Sequence, residues 1–222
     1  CLLSRGLGDV YKRQLLDHAS IDVDVQPIKL QELVERGVYT REVDPLASTE
    51  FTYSRFFTPW LADYQGWALF CDCDFLFFGD VAELLDYRDD SKAVCCVHHD
   101  YRPKATVKMD GKVQTSYPRK NWSSFMLFNC VHPSTRALTP EVVNSQTGAY
   151  LHRLEWAADS AIGELPETWN WLEGWSDKPA SGFPKAVHYT NGGPWFKDWQ
   201  NVEYAQEWIR RADAIDPGFQ PV

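Results

Sequence analysis

No stretch of this 222-residue chain approaches the ~20 consecutive apolar residues that cross a bilayer, so a membrane-spanning helix is excluded. Basic residues are also short, with 22 lysines and arginines against 31 aspartates and glutamates and a net charge of −9. That balance argues against non-specific nucleic-acid binding, which needs a basic face. An anionic substrate would have to be met by a metal ion or by locally placed cations. Paired C-x2-C zinc spacing is missing too. The six cysteines, Cys1, Cys71, Cys73, Cys95, Cys96 and Cys130, lie mostly in apolar runs, which reads as buried free thiols in a reducing, cytoplasmic compartment. There is no internal repeat and no low-complexity segment. The 44% apolar and 24% charged composition suits one globular α/β domain with a full core.

An initiator methionine is absent, and CLLSRGLGDVYKRQ lacks the apolar centre of a signal peptide. Those residues resemble translated library-adaptor sequence. Residues 1–14 are therefore expected to be non-native, with a single domain over residues 15–222.

The most informative stretch is 67–80, Trp-Ala-Leu-Phe-Cys-Asp-Cys-Asp-Phe-Leu-Phe-Phe-Gly-Asp. Five apolar residues, Trp67 to Cys71, read as a strand covered on both faces. Two aspartates one residue apart, Asp72 and Asp74, follow it. Burying unpaired carboxylates is costly, and a divalent cation is the obvious neutraliser. An Asp-x-Asp at a strand end can turn both carboxylates to one side, and two hard oxygens suit Mn²⁺ or Mg²⁺. A turn residue and a helix cap are the plainer explanation of the same pair.

Elsewhere, alternation over residues 21–28 predicts a strand, and Leu30, Leu33 and Val34 predict a helix stopped by Gly37. Ser48 or Thr49, with Glu50 in the first turn, is expected to cap a helix carrying Phe51, Phe56, Trp60 and Leu61, broken near Pro59. Asp80 should cap a short helix. Buried strands are expected over 93–97 and 125–128, a hairpin or loop over 101–121, partial helix over 140–154, and an amphipathic helix over about 202–214. Strands alternating with helices predict a largely parallel α/β sheet with its ligand beyond the strands' carboxyl ends. Asp72, Asp74, His98, His99, Asp100 and Asn129 would gather there.

Several blocks together resemble glycosyltransferase family 8 and its bacterial relatives. TEFTYSRFFTPWL followed by GWALFCDCDFLFFGDVAELL is similar to that family's Y-x-R-[FL] helix and D-x-D strand. KNWSSFMLFN resembles N-S-G-V-M-L-F-N, ADSAIGELPETWNW resembles D-Q-D-x-L-N…L-P-x-x-W-N, and AVHYTNGGPW resembles H-[FY]-x-G…K-P-W. The blocks keep the family's order over residues 50–196.

The resemblance implies a GT-A-like, Rossmann-like fold: a mostly parallel mixed sheet flanked by helices. It also implies retaining, hexosyltransferase-type transfer from a nucleoside diphosphate sugar, usually UDP-linked, to a glycan, lipid or other acceptor. Carried over by position, Asp72, Asp74 and His188 would hold Mn²⁺ (or Mg²⁺). Arg55 and Asp72 would bind or brace the donor, Lys120 and Asn121 would grip hydroxyls, and backbone N–H groups of Gly192 and Gly193 would approach the diphosphate. Asp159 would stabilise charge at the reacting carbon.

The chain departs from the pattern at several points. Gly193 stands where the family has a phosphate-gripping lysine, which Lys185 or Lys197 would have to replace. N-S-G becomes Trp122-Ser123-Ser124, and D-Q-D becomes Ala158-Asp159-Ser160. The family's first strand should precede residue 15, so the domain is expected to lack it. Two competing readings are a non-catalytic carbohydrate-binding protein on this fold and a haloacid-dehalogenase-like phosphotransferase. The latter wants Thr or Val two residues after the second aspartate, where this chain has Leu76. Of the late tryptophans, Trp169, Trp171, Trp175 and Trp195 suit sugar stacking, though core packing is the commoner use.

Overall fold

The computed structural model describes residues 7–42, 52–100 and 118–221. The expected cap at Ser48 or Thr49, with Glu50 and Phe51, lies outside them, as does most of the expected hairpin at 101–121. The chain starts with α1 (Leu7–Leu16) and α2 (Leu30–Glu35). A 3-10 turn at Ser54–Phe57 then leads into α3 (Thr58–Leu61). Pro59 sits in the first turn of α3, where its missing N–H costs nothing, so the expected break is a boundary between two short helices.

Two sheets follow. The first contains β1 (Trp67–Cys71), β3 (Val94–Cys96), β4 (Phe125–Asn129) and β5 (Ile162–Glu164), in the spatial order β1-β4-β3-β5. The second contains β2 (Phe75–Phe77), β6 (Trp171–Leu172) and β7 (Ala186–His188), in the order β2-β7-β6. Three short helices lie between β4 and β5: α4 (Pro133–Arg136), α5 (Pro140–Ser145) and α6 (Gly148–His152). The chain ends with α7 (Ala205–Ile215).

The period-two alternation of the strands sorts their side chains into layers. Phe70, Val94, Cys96, Met126 and Phe128 face a core shared with Phe56, Phe57, Leu138, Val143 and Leu151 from the helical side. Leu69, Cys95, Phe125 and Leu127 face the opposite way and pack between the sheets against Phe75, Phe77 and Trp169. Beyond the second sheet, Leu76, Val187 and Trp171 meet Trp195, Trp208 and Val10 under α1 and α7. Residues 7–14, the described part of the segment expected to be non-native, form most of α1. Gln14 there bonds the carbonyl of Phe75 (2.6 Å) and the N–H of Phe77 (3.2 Å).

The mixed α/β architecture agrees with expectation, but the strand directions do not: among the described residues, three of the five strand pairs are antiparallel. Continuous apolar runs report that both faces are covered, whichever way the neighbour runs. β4 lies antiparallel between β1 and β3. Its last residue, Asn129, therefore pairs with Trp67 at the start of β1, away from Asp72. The turn before β4, Ser123-Ser124, reaches Asp72 instead. β1 itself is an edge strand among the described residues, and all five of its side chains are only partly buried. Residues 21–28 form no ladder, although Val23 and Val25 pack on the inter-sheet core. Asp80 does cap, accepting from the N–H of Ala82 at 2.9 Å, but the helix it starts is 3-10.

Two predictions follow from this packing. Gly163 lies opposite Cys95, and a β-carbon there would sit 2.5 Å from the Cys95 sulfur. Gly163→Ala should therefore cost about 1–3 kcal/mol in urea unfolding, and adding Cys95→Ala should recover part of it. An unchanged midpoint for the single variant would refute the close contact.

His152 meets Phe56 edge-on, and burial, then Arg55 and Arg41, hold its pKa at about 3. Its neutral form is the folded form, while the unfolded chain protonates at ordinary values. The stability it contributes is complete above about pH 6.5 and falls by up to about 1.4 kcal/mol per pH unit below that. His152→Gln should flatten the measured decline between pH 6.5 and 5.

Candidate metal centre

The site lies where the two sheets meet, at the carboxyl end of β1. The ladder of β1 continues one residue further, the N–H of Asp72 donating to the carbonyl of Ser124 at 2.9 Å. Its carboxylate is gripped in a two-pronged fork by Arg55, with Nη2–Oδ1 2.9 Å and Nη1–Oδ2 3.1 Å. Arg55 is itself fixed: Nε donates to the carbonyl of Thr52 (3.1 Å), Nη1 donates to that of Ser123 (2.8 Å), and the guanidinium lies over the Phe70 ring. Burial pushes the pKa of Asp72 above the usual carboxylate value, and the Arg55 charge opposes this.

Two residues on, the carbonyl of Asp74 accepts from the N–H of Tyr189 at 3.0 Å, so the start of β2 and the end of β7 are held together. The register pairs Phe75 with His188 and stacks their rings with centroids 4.5 Å apart. His188 Nε2 lies 3.4 Å from Asp74 Oδ1, and Nδ1 lies 2.9 Å from Asn170 Oδ1. One ligand atom from each of Asp72, Asp74 and His188 falls within 4.8 Å of the others. Two carboxylates and one imidazole form a donor set that fits Mn²⁺ or Mg²⁺.

The other residues named from sequence are more scattered. Lys120 is buried just before the turn into β4. Asn121 adopts a left-handed conformation (φ 67°), and its side-chain nitrogen is buried without a hydrogen-bond partner among the described residues. Gly192 has φ 148°, which favours glycine, but its N–H closes the turn onto the carbonyl of Tyr189 (3.1 Å). At Gly193 a β-carbon would lie 2.3 Å from the Trp195 ring, so close ring packing accounts for that glycine. Lys185 is paired with Glu83 at 2.7 Å, and Lys197 is exposed.

Asp159 is not brought to the cluster. It precedes β5, which runs parallel to β3, so the register sets it at the opposite edge of the sheet from Asp72. Its carboxylate is exposed and paired with Arg119 at 2.6 Å.

Beyond the carboxyl ends of β3 and β5 is a cavity of about 560 Å³ lined by His98, His99, Asp100, Glu164, Glu167 and Trp175, among others. His98 stacks on Trp122 at 4.0 Å, and Trp122 Nε1 donates to the carbonyl of His99. Burial, followed by the nearby His188, holds the pKa of His99 at about 3. Trp169, Trp171 and Trp195 are core, whereas Trp175 reaches this cavity. Sequence reasoning missed Asn170, Glu164 and Glu167. The Trp-Asn of the L-P-x-x-W-N-like block was the available signal for Asn170.

No protein-family model matches the chain. Among solved structures it resembles the bifunctional glycosyltransferase WbbM, with a TM-score of 0.54 and 19% identity over 78% of this chain and 36% of that one. It also resembles the glycosyltransferase GlyE of Streptococcus pneumoniae, with a TM-score of 0.58 and 14% identity over 93% of this chain and 56% of that one. The chain thus spans about a third and just over half of those two proteins, and the likeness establishes a GT-A glycosyltransferase fold. In sequence it is 52% identical over 207 residues to Protein CDI of Arabidopsis thaliana, covering 92% of this chain and 80% of that protein. An identity of that size over nearly the whole chain shows that this protein belongs to the same family as Protein CDI.

Proposed function

We propose that the protein is a metal-dependent glycosyltransferase related to family 8. It would transfer a hexosyl group, with retention, from a nucleoside diphosphate sugar, UDP-linked in the first instance, to a carbohydrate or lipid-linked acceptor. The observation that carries this reading is the convergence of Asp72 and Asp74 with His188, from two stretches far apart in the chain, within 4.8 Å on a GT-A fold. A bound Mn²⁺ or Mg²⁺ supplies stabilisation of the charge that grows on a diphosphate leaving group. This matters in a chain of net charge −9, which otherwise repels such a donor.

The chain's own residues do the rest by placement. Arg55 locks the Asp72 carboxylate so that its orientation does not depend on what binds. The buried nitrogen of Asn121 is a donor waiting for an acceptor oxygen, and a sugar hydroxyl or phosphate oxygen meets that need. Glu164 and Glu167 offer hydroxyl acceptors in the adjoining cavity, and Trp175 offers an apolar face, a combination suited to a polyhydroxyl ligand. Asp159 has no part in this arrangement. The free state of Cys71, Cys73, Cys95, Cys96 and Cys130 is consistent with a cytoplasmic setting, and no described helix is long and apolar enough to cross a membrane.

The test is calorimetric binding of UDP, GDP and their sugars with and without Mn²⁺. Donor binding should require the metal and disappear on chelation. Asp74→Ala and His188→Ala should each weaken Mn²⁺ binding by more than about 100-fold, beyond the range expected for an outer-sphere residue. Arg55→Ala should weaken donor binding and lower the melting temperature together, because it frees a partly buried carboxylate. Donor binding that ignores the metal, or an unchanged Asp74→Ala, refutes the proposal. Glycan binding without nucleotide would point to a carbohydrate-binding protein, and turnover of an aryl phosphate to a phosphotransferase.

A further inference from the structure

The hydrogen bonds of Asn170 decide which nitrogen of His188 faces the two aspartates. Asn170 is fully enclosed, 0% exposed, at the end of the 3-10 turn Glu167–Asn170 that leads into β6. Its amide nitrogen donates to the carbonyl of Asn121 (3.3 Å) and to Ser124 Oγ (3.0 Å). A carbonyl oxygen can only accept, so the NH₂ group must lie on that side and Oδ1 on the other. Oδ1 is 2.9 Å from His188 Nδ1 and can itself only accept, so Nδ1 must carry a proton. Nε2 then remains to face Asp74 Oδ1 at 3.4 Å, and the stack on Phe75 keeps the ring in plane.

The same carboxamide reaches the aspartate side of the site. Ser124, which receives one Asn170 hydrogen bond, accepts the N–H of Asp72 through its carbonyl, and the neighbouring Ser123 carbonyl accepts from Arg55. Asn170 therefore joins the turn that receives the Asp72 N–H to the strand that carries His188. The turn and the strand belong to different sheets; the Tyr189 N–H to Asp74 carbonyl bond ties the two on one side of the site, and Asn170 ties them on the other.

We propose that Asn170 is the positioning residue of this centre. It holds His188 as the Nδ1–H tautomer, presents the Nε2 lone pair to a divalent cation shared with Asp72 and Asp74, and sets the spacing between the two halves of the donor set. This rests on the metal-site reading above. A hydrogen bond to the distal nitrogen of a ligating histidine fixes its orientation, and losing it typically costs about 10–100-fold in metal affinity.

The experiment has two arms. In metal-free wild type with ¹⁵N-labelled histidine, long-range ¹H–¹⁵N spectra report the proton on each ring nitrogen, and His188→Gln assigns the signals. Nδ1 should be protonated, and a Mg²⁺ titration should shift Nε2. In the second arm, Asn170→Ala should let the tautomers mix and weaken Mn²⁺ binding about 10–100-fold, whereas Asn170→Asp, which keeps an acceptor for Nδ1–H but loses the two donated bonds, should preserve the tautomer and recover only part of the affinity. An unprotonated Nδ1 in the wild type overturns the proposal, as does an Asn170→Ala protein with wild-type tautomer and Mn²⁺ affinity. The metal-free spectra decide the tautomer even where Asn170→Ala does not fold. If wild type binds no divalent cation, the metal reading fails independently of the tautomer result.

Discussion

Two carboxylates one residue apart, half enclosed at the junction of two sheets, are the constraint around which this structure is arranged. Each would be costly to desolvate alone, and side by side they raise each other's cost. Arg55 answers for Asp72 with a fork held on three sides, so its strength lies in geometry as much as in charge. Asp74 faces His188 across 3.4 Å. The two carboxylates and the imidazole lie close enough to share one cation, which is the basis of the proposed metal centre.

The fold makes that junction by splitting its strands between two sheets. β1 and β2 are consecutive in the chain yet belong to different sheets, and the residues that cross the gap, Asp72 to Asp74, are the ones with the chemistry. Ligand atoms at a sheet end are usually set by neighbours in one ladder. Here the ladder of β7 places His188, that of β4 places the turn receiving Arg55 and Asp72, and the two are coupled by the Tyr189–Asp74 backbone bond and by side chains. A buried polar network with such a role must be fully satisfied to be specific. In the chain that runs from the Asn121 carbonyl through Ser124 and Asn170 to His188, the Asn170 carboxamide uses both of its N–H groups and its oxygen.

Much of this was legible in the residues. Asp-x-Asp after an apolar run pointed to a charge needing neutralisation, and the histidine of AVHYTNGGPW, 114 residues beyond Asp74 by their numbers, lies beside it in the structure. Strand direction was not legible, because residues 125–128 bury both faces whether their neighbours run parallel or antiparallel. That ambiguity misplaced Asn129 and hid the Ser123-Ser124 turn. The second sheet was invisible for another reason: its strands are two or three residues long, too short to show a period. Asp159 matched a motif position but not a place, since its position at the amino end of β5 is a property of the register. Gly192 and Gly193 were recognised as necessary for a different reason from the one the structure gives, which is turn closure and the packing of Trp195.

The central claim is that one divalent cation is held among Asp72, Asp74 and His188. Anomalous diffraction from crystals of the protein grown with Mn²⁺ and UDP tests it most directly. The account predicts a single strong manganese peak within coordination distance of His188 Nε2 and at least one carboxylate oxygen of the aspartate pair. A peak elsewhere, or none among these three residues with UDP clearly bound, would contradict it.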